Sequence, residues 1–173
     1  AFGVERPFRV LAHDVLMKGP WGDLLRSTGM ISATRENAAA ALAAGAVTVV
    51  FPGGDFDAYR PTSAEATVAF NGRTGYVRTA LEAGVPVVPV VSLGGQETQY
   101  VLTRGQRVGR HSPLRHVMRS DLMPVTVGFP FGVTLMGLPN LPLPSKIVTR
   151  VLPAIDLAAE FGPDPDVAEV DAE

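Results

Sequence analysis

The sequence contains no cysteine and only three histidines among its 173 residues. Without cysteine the chain can form neither a disulfide nor a thiolate metal site, and three scattered histidines argue against a zinc centre. Lysine is also scarce: only Lys18 and Lys146 occur, so thirteen of the fifteen cationic residues are arginine. The formal net charge of −2 gives no general attraction to nucleic acid. These absences disfavour a disulfide scaffold, a metalloenzyme and a nucleic-acid-binding protein.

Charge is absent from Leu122 to Ser145, a segment that by length alone is sufficient to cross a membrane. Five prolines and three glycines interrupt it and would repeatedly break a spanning helix, so we exclude one. Two interpretations stay open: buried irregular structure with short strands, or an apolar surface that rests at a bilayer interface. The amino terminus shows no basic-then-apolar signal pattern.

The apolar share of 46% is sufficient for the core of one soluble domain of this length. Capping residues and glycines predict helices over 20–27, 35–44 and 74–83, after an earlier helix that contains His13. The charge-free runs 46–51 and 85–92 each predict a short buried strand.

A helix between two wholly apolar strands indicates that they pair in parallel, in a sheet covered on both faces. The alternating segment 146–152 predicts a late, partly exposed strand. We therefore predict a single α/β domain over 1–161, with a largely parallel sheet flanked by helices. The acidic, proline-interrupted residues 162–173 are predicted to form a flexible tail.

A glycine pair, Gly53-Gly54, follows the first predicted strand. Ligands of parallel sheets gather at the carboxyl ends of strands, and glycines there allow a tight turn whose N–H groups can face a phosphate or an acceptor oxygen. The alternative is an ordinary strand-ending turn. The pattern predicts a binding site at this turn.

Five segments follow one another in a recognisable order: Gly-Met-Ile at 29–31, Thr-Arg-Glu-Asn at 34–37, Phe-Pro-Gly-Gly-Asp-Phe-Asp-Ala-Tyr-Arg-Pro at 51–61, Gly-Arg-Thr-Gly-Tyr-Val-Arg at 72–78 and Val-Pro-Val-Val-Pro-Val at 85–90. Together they resemble the phospholipid and glycerol acyltransferases. The similarity runs from about residue 9 to residue 152 and is nearest to the bacterial branch similar to diacylglycerol acyltransferases, in which Phe-Pro-Gly-Gly replaces Phe-Pro-Glu-Gly.

This resemblance implies transfer of a fatty acyl group from acyl-CoA or acyl carrier protein to a hydroxyl of a glycerolipid or related acceptor. Phospholipid or triacylglycerol synthesis is the implied setting, at the inner, cytoplasmic face of the membrane. The family uses the acyl donor as co-substrate and needs no metal or other cofactor. The acyl donor and the lipid acceptor are thus the expected partners.

The family's catalytic His-x-x-x-x-Asp motif is not found ahead of Arg35, and the sequence is expected to begin just after it. His13-Asp14 does not replace it, because adjacent helical residues project about 100° apart. His116 and Asp121 have the right spacing but follow the second predicted strand, so we interpret them as a coincidence. We expect this chain alone to be inactive.

The resemblance assigns the remaining motif positions to acceptor binding and to loop support. Arg35 lies at a helix start, where a cation opposes the helix dipole, so contact with an acceptor phosphate is one of two open explanations for it. Acceptor-binding candidates are Thr34, Arg35, Phe51, Pro52, Gly53, Gly54 and Asp55. Loop support is assigned to Asp57, Arg60 and Arg73.

A local basic cluster precedes the charge-free segment. Together they suggest peripheral membrane contact through residues 104–145, with a solvated basic face as the alternative. The cluster comprises Arg104, Arg107, Arg110, Arg115, Arg119, His111 and His116.

Three functions stay open: an acyltransferase, a non-catalytic lipid- or acceptor-binding relative or split chain that needs a partner, and a nucleotide-binding α/β domain. The third lacks both Gly-x-Gly-x-x-Gly and Gly-Lys-Ser/Thr sequences.

Overall fold

The structure is a computed structural model that describes residues 5–64, 67–113, 116, 120–135, 140–162, 165–166 and 170. The chain divides into two compact units. The first contains the residues before Gly53, residues 72–87 and the residues after Pro153; the second contains residues 53–71 and 88–153.

Short elements make up both units. The described helices are α1 (Asp14–Lys18), α2 (Gly22–Ser27), α3 (Arg35–Ala43), α4 (Gly54–Ala58), α5 (Gly75–Ala83), α6 (Gln106–His111) and α7 (Leu157–Phe161), with 3-10 turns at Thr62–Ala64 and Gln96–Thr98. The described strands are β1 (Phe8–Ala12), β2 (Met30–Ser32), β3 (Val47–Val49), β4 (Val90–Leu93), β5 (Tyr100–Thr103), β6 (Val125–Gly128), β7 (Gly132–Leu135) and β8 (Val148–Val151).

A three-stranded parallel sheet organises the first unit. Its order is β2-β1-β3, with Val10 opposite Met30 and Phe8 opposite Val47. Helices α1 and α2 connect β1 to β2, and α3 connects β2 to β3, as parallel pairing requires. The prediction of a parallel sheet flanked by helices is confirmed for this unit.

The central strand of that sheet was not predicted from the sequence. The first predicted element was a helix that contains His13, whereas residues 8–12 form β1 and His13 is the N-cap of α1. The strand β2 was also missed. Both runs are short and mix polar with apolar residues, so their pattern does not separate strand from helix.

The core of the first unit lies between α5 and α7. Val77 and Ala80 of α5 pack with Leu157 and with Val170, and all four side chains are buried. The predicted flexible tail over 162–173 falls largely outside the described residues, although Val170 belongs to this core. The division into a domain over 1–161 and a tail remains a prediction.

The second unit contains two antiparallel sheets, which corrects the expectation of a largely parallel fold. Strand β4 pairs with β8, with Val90 opposite Val151, and β5-β6-β7 form a meander. The expected parallel pairing of 46–51 with 85–92 does not occur, and all four residues of β4 are exposed. Pro86 and Pro89 have no N–H to donate, so a ladder begins only at Val90.

The charge-free segment contains a β-hairpin within the described residues. Strands β6 and β7 both lie in this segment, which agrees with the expectation of short strands there. Residues 136–139 of the segment are not among the described residues. The late strand predicted over 146–152 is present as the exposed strand β8. Among the described residues, no helix is both long and apolar enough to span a membrane.

Candidate functional site

The glycine pair forms a tightly packed turn at the start of α4. Gly53 is buried, and a Cβ added there would overlap the Cβ of Asp57 and lie 3.1 Å from the Ala69 carbonyl oxygen. Gly54 has a φ of +50°, in the left-handed region that favours glycine. Packing and backbone geometry therefore require both glycines, independently of any ligand.

An ion pair holds the acidic side of this turn. Arg60 is 7% exposed, and its Nη1 donates to Asp57 Oδ1. Because a buried guanidinium needs a partner, Asp57 is important to the stability of the turn. Asp55 Oδ1 accepts from the backbone N–H of Phe56 at 2.9 Å. The structure thus brings together Asp57 and Arg60 of the predicted loop-supporting set.

Three residues from later in the chain also hold the turn. Arg104 Nε donates to the Phe56 carbonyl oxygen at 2.8 Å, and its guanidinium lies 3.9 Å from the centroid of the Phe56 ring. The Ser120 hydroxyl donates to Asp55 Oδ2, and Gln96 Nε2 donates to the Asp57 carbonyl oxygen at 3.3 Å.

These supporting residues were not assigned to the site from the sequence. Arg104 was placed in the basic cluster, and Ser120 and Gln96 were given no role. No local motif marks them, because they lie 39, 48 and 65 residues further along the chain than the residues they contact. Long-range pairing of this kind carries no signal at short sequence spacing.

Two protonation equilibria in this region are shifted. Burial raises the pKa of the Tyr59 phenol, and the negative charge of Asp55 raises it further. Burial lowers the pKa of the Arg104 guanidinium, and the positive charge of Arg60 lowers it too, whereas Asp57 opposes the shift. Arginine nonetheless remains protonated at physiological pH, so Arg60 and Arg104 place two positive charges near the turn.

The candidates at the start of α3 lie in the first unit. Thr34 is the N-cap of α3 and its hydroxyl accepts from the Asn37 N–H at 3.2 Å. Arg35 Nη2 donates to both carboxylate oxygens of Glu82, at 2.8 and 3.0 Å. Hydrogen bonds from its own backbone and from Thr34 lower the pKa of Glu36. The pairing with Glu82 provides a structural reason for a cation at this helix start.

The rest of the predicted acceptor set is divided between the two units. Phe51 and Pro52 belong to the first unit, whereas Gly53, Gly54 and Asp55 belong to the second. Phe51 is 68% exposed, which leaves its ring available for a ligand. Arg73, assigned to loop support, is exposed and lies in the first unit.

Within the described residues, the histidines show no arrangement typical of a catalytic base. His13 Nδ1 accepts from the Val15 N–H at 3.3 Å, a capping role. His116 and Asp121 are both exposed. Within the described residues, no group of three or more histidines or carboxylates has the arrangement of a metal site.

The described residues of the basic cluster differ in exposure. Arg104 is half-buried against Phe56, whereas Arg107, Arg110 and His111 are exposed on α6. Arg115 and Arg119, also assigned to the cluster, lie outside the described residues.

A sequence model described as Acyltransferase matches residues 2–93, more than half of the 173-residue chain. The chain belongs to the acyltransferase family. The match covers β1 to β4 and includes the glycine turn. This acyltransferase domain therefore supports acyl transfer as the general reaction.

Curated relatives of this acyltransferase come from mycobacteria. It is 32% identical over 143 residues to the uncharacterized proteins Rv0502 of Mycobacterium tuberculosis and Mb0514 of Mycobacterium bovis, and 31% identical over 144 residues to ML2427 of Mycobacterium leprae. Each alignment covers 82% of this chain but only 36–37% of the relative, so the chain spans little more than a third of their length. No solved structure matches significantly.

Proposed function

We propose that this acyltransferase moves a fatty acyl group from acyl-CoA or acyl carrier protein to a hydroxyl of a glycerolipid or related acceptor. The glycine turn carries the proposal. It lies within the family match, follows the parallel sheet and is held by Asp57, Arg60 and Arg104. The order and content of its motifs favour the lysophosphatidate acyltransferase-like group, in the branch similar to diacylglycerol acyltransferases.

The proposed reaction needs a general base and an oriented acceptor, without a metal or cofactor. The acceptor oxygen attacks the thioester carbonyl carbon, the C–S bond breaks, and the proton of the hydroxyl passes through the base to the leaving thiolate. In this scheme the turn from Gly53 to Asp55 contacts the acceptor. Further candidates for acceptor contact, all in the first unit, are Thr34, Arg35, Phe51 and Pro52.

The base itself is proposed to come from outside these 173 residues. They contain no His-x-x-x-x-Asp sequence ahead of Arg35. A further segment of the same protein or a separate chain would supply it. We expect the 173 residues alone to react about a hundred- to ten-thousand-fold more slowly than a protein that carries the histidine.

An acyl-transfer assay tests the proposal directly. The product of the full open reading frame and the 173-residue chain are incubated with acyl-CoA and glycerolipid acceptors, and thiol release and acylated product are both measured. We expect turnover by the longer protein, and its loss when the histidine of any His-x-x-x-x-Asp motif is changed to alanine. Rapid turnover by the 173 residues alone would contradict an external base.

Arg35 provides a test of the acceptor side. Arg35→Met should raise the KM for a phosphate-bearing acceptor, and Glu82→Gln, which frees the guanidinium, should lower it. Arg26→Met is the matched control, because Arg26 is similarly exposed and also pairs with a carboxylate, that of Asp23. Unchanged KM values in both test variants would remove Arg35 from the acceptor site.

The second candidate, a non-catalytic binding relative, is separated by the same experiments. Such a protein would bind acyl-CoA or lipid but give no turnover in the longer form. A nucleotide-binding domain would instead be stabilised against heat by nucleotides and not by acyl-CoA.

We also propose a cytoplasmic location, peripheral on the inner face of the membrane, with contact through residues 104–145.

A further inference from the structure

The β5-β6-β7 sheet has an apolar face that is open to solvent. Tyr100, Val127 and Val133 lie opposite one another across the three strands, and Val125 and Leu135 share their face. Val133 is 67% exposed and Leu135 is 58% exposed. An antiparallel sheet in water normally presents its polar side chains to solvent, and this one does the reverse.

The opposite face of the sheet carries the polar side chains and is buried. Thr126 is 0% exposed, and its hydroxyl lies 3.0 Å from that of Thr134 and 3.4 Å from Gln99 Nε2. Asn140 Nδ2 donates to the Thr134 hydroxyl at 3.0 Å. These hydroxyls are satisfied inside the protein, so the register that exposes the valines is specified by a polar network.

The tip of the β6–β7 hairpin extends the apolar face with two aromatic rings. Phe129 and Phe131 are 67% and 60% exposed. Asn140 ties the tip: its Oδ1 accepts from the Phe131 N–H at 3.1 Å and its Nδ2 donates to the Gly132 carbonyl oxygen at 3.0 Å. The Phe129 carbonyl oxygen accepts from the Leu141 N–H at 2.7 Å.

This internal pairing matters because hydrocarbon offers no partner to backbone groups. A loop enters lipid at low cost only when its N–H and C=O groups are paired within the protein. A loop built to rest in water has no such need. The tip also carries no charged residue, since none occurs between Leu122 and Ser145.

A helix with exposed cationic residues, α6, lies at the other end of the sheet. Thr103 pairs with Val125, so α6, which follows β5, begins at the end of β6 opposite the Phe129–Phe131 tip. The four residues of β6 make three steps of about 3.4 Å, so the strand spans roughly 10 Å. Arg107 and Arg110 of α6 are exposed. The surface thus changes from cationic at α6 to apolar at the hairpin tip along the length of one short strand.

We propose that the β5-β6-β7 face and its Phe129–Phe131 tip form the surface by which the protein docks on an anionic lipid bilayer. The tip enters the acyl region, and α6 remains at the level of the anionic headgroups, where each arginine strengthens binding. The inference rests on the proposed function in one respect, that docking would bring the protein to its lipid acceptor. It narrows the proposed membrane contact from residues 104–145 to the β5-β6-β7 face, its tip and α6.

Vesicle co-sedimentation tests the surface with two matched comparisons. The probes are vesicles of phosphatidylcholine with or without phosphatidylglycerol. We expect Phe129→Ser/Phe131→Ser to weaken partitioning into anionic vesicles by about tenfold to a hundredfold. Leu135→Asn should weaken it as well, whereas Leu24→Asn should not, because Leu24 has the same 58% exposure but lies on α2 of the first unit.

Fluorescence locates the tip in the bilayer. Trp21 is the single tryptophan, so Trp21→Phe/Phe131→Trp carries one reporter at the tip and Trp21→Phe/Leu24→Trp carries one on α2. We expect a blue shift with vesicles and quenching by acyl-chain-brominated lipid for the first protein only. Circular dichroism of each variant confirms that the fold is retained.

Each alternative outcome is distinct. No vesicle binding, or binding unaffected by the double serine variant, would overturn the surface. A wild-type dimer in light scattering that becomes monomeric in the double variant would overturn the lipid assignment and identify a second copy of the chain as the occupant. Vesicle binding at the tip, together with no acyl transfer by the product of the full open reading frame, would contradict the proposed function and leave the docking surface intact.

Discussion

Alanine substitution at Gly53 separates a packing role for the glycine turn from a purely ligand-binding role. A Cβ at this position overlaps Asp57 Cβ and lies 3.1 Å from both Asp57 Cγ and the Ala69 carbonyl oxygen. Asp57 must then move, and its movement weakens the pair with the buried Arg60. Overpacking costs about 1–3 kcal/mol, and a weakened buried ion pair adds to that cost, so we expect Gly53→Ala to destabilise by about 3 kcal/mol.

Gly95 is a closely matched control in the same unit. Its φ and ψ of −65° and −33° nearly equal the −66° and −25° of Gly53, yet nothing lies within 4 Å of an added Cβ. Gly95→Ala should therefore stabilise the protein by about 0.4–1 kcal/mol, through the lower entropy of the unfolded chain. Because the two glycines have nearly the same backbone conformation, the difference in stability between the two alanine variants reports the packing around Gly53.

Urea unfolding followed by circular dichroism measures both variants. We expect the unfolding midpoint of Gly53→Ala to fall and that of Gly95→Ala to stay or rise, at similar slopes. If the two variants had equal stability, the close packing of Asp57 over the turn would be refuted. A stable Gly53→Ala that had lost acceptor binding would instead show that the glycine serves the ligand alone.

Three further predictions concern side chains that support the two units. Arg104→Met should destabilise by about 1–2 kcal/mol, since it removes the hydrogen bond and the ring contact to Phe56, whereas Arg107→Met should stay within about 0.5 kcal/mol in the same urea assay. Above about pH 10 the unfolded state releases the phenolic proton that folded Tyr59 retains, so stability falls with pH; Tyr59→Phe should flatten that fall in unfolding experiments. Thr34→Ala should cost about 1 kcal/mol in thermal or urea unfolding, and Thr34→Ser should retain the cap.

The parts of the fold that follow local rules could be predicted from the sequence. Thr34 caps α3 and Gly84, with a φ of +60°, ends α5 at the position that the pattern indicates. The pairing of strands could not be predicted in the same way. Val90 and Val151 are 61 residues apart, and nothing in either run specifies an antiparallel partner over a parallel one.

Burial was the least predictable property of the second unit. An apolar run free of charge predicts a buried strand only if some other element covers it. In β4 and on the outer face of β5-β6-β7 the described residues are largely exposed, while Thr126 is buried. The burial predicted for the run 85–92 is thus wrong for β4, whereas for the charge-free segment buried structure and an apolar surface had both been left open.

For the site, the sequence identified the turn but not the three residues from later in the chain that also hold it. The glycine pair and the Asp57–Arg60 pair occur within eight positions and so appear as a motif. Acceptor binding at this turn remains a prediction.

The three residues that hold the turn from later in the chain lead to a prediction about acceptor preference among relatives. Gln96, Arg104 and Ser120 all lie beyond residue 93, where the match to the family model ends. The motif at 51–61 therefore supplies the turn, but residues outside the family match hold it through the Phe56 and Asp57 carbonyls and the Asp55 carboxylate. Two relatives with the same motif but different residues at these three positions should hold the turn differently. Exchange of the three residues, with the motif unchanged, is then the smallest change that should alter acceptor choice while leaving the acyl donor unaffected.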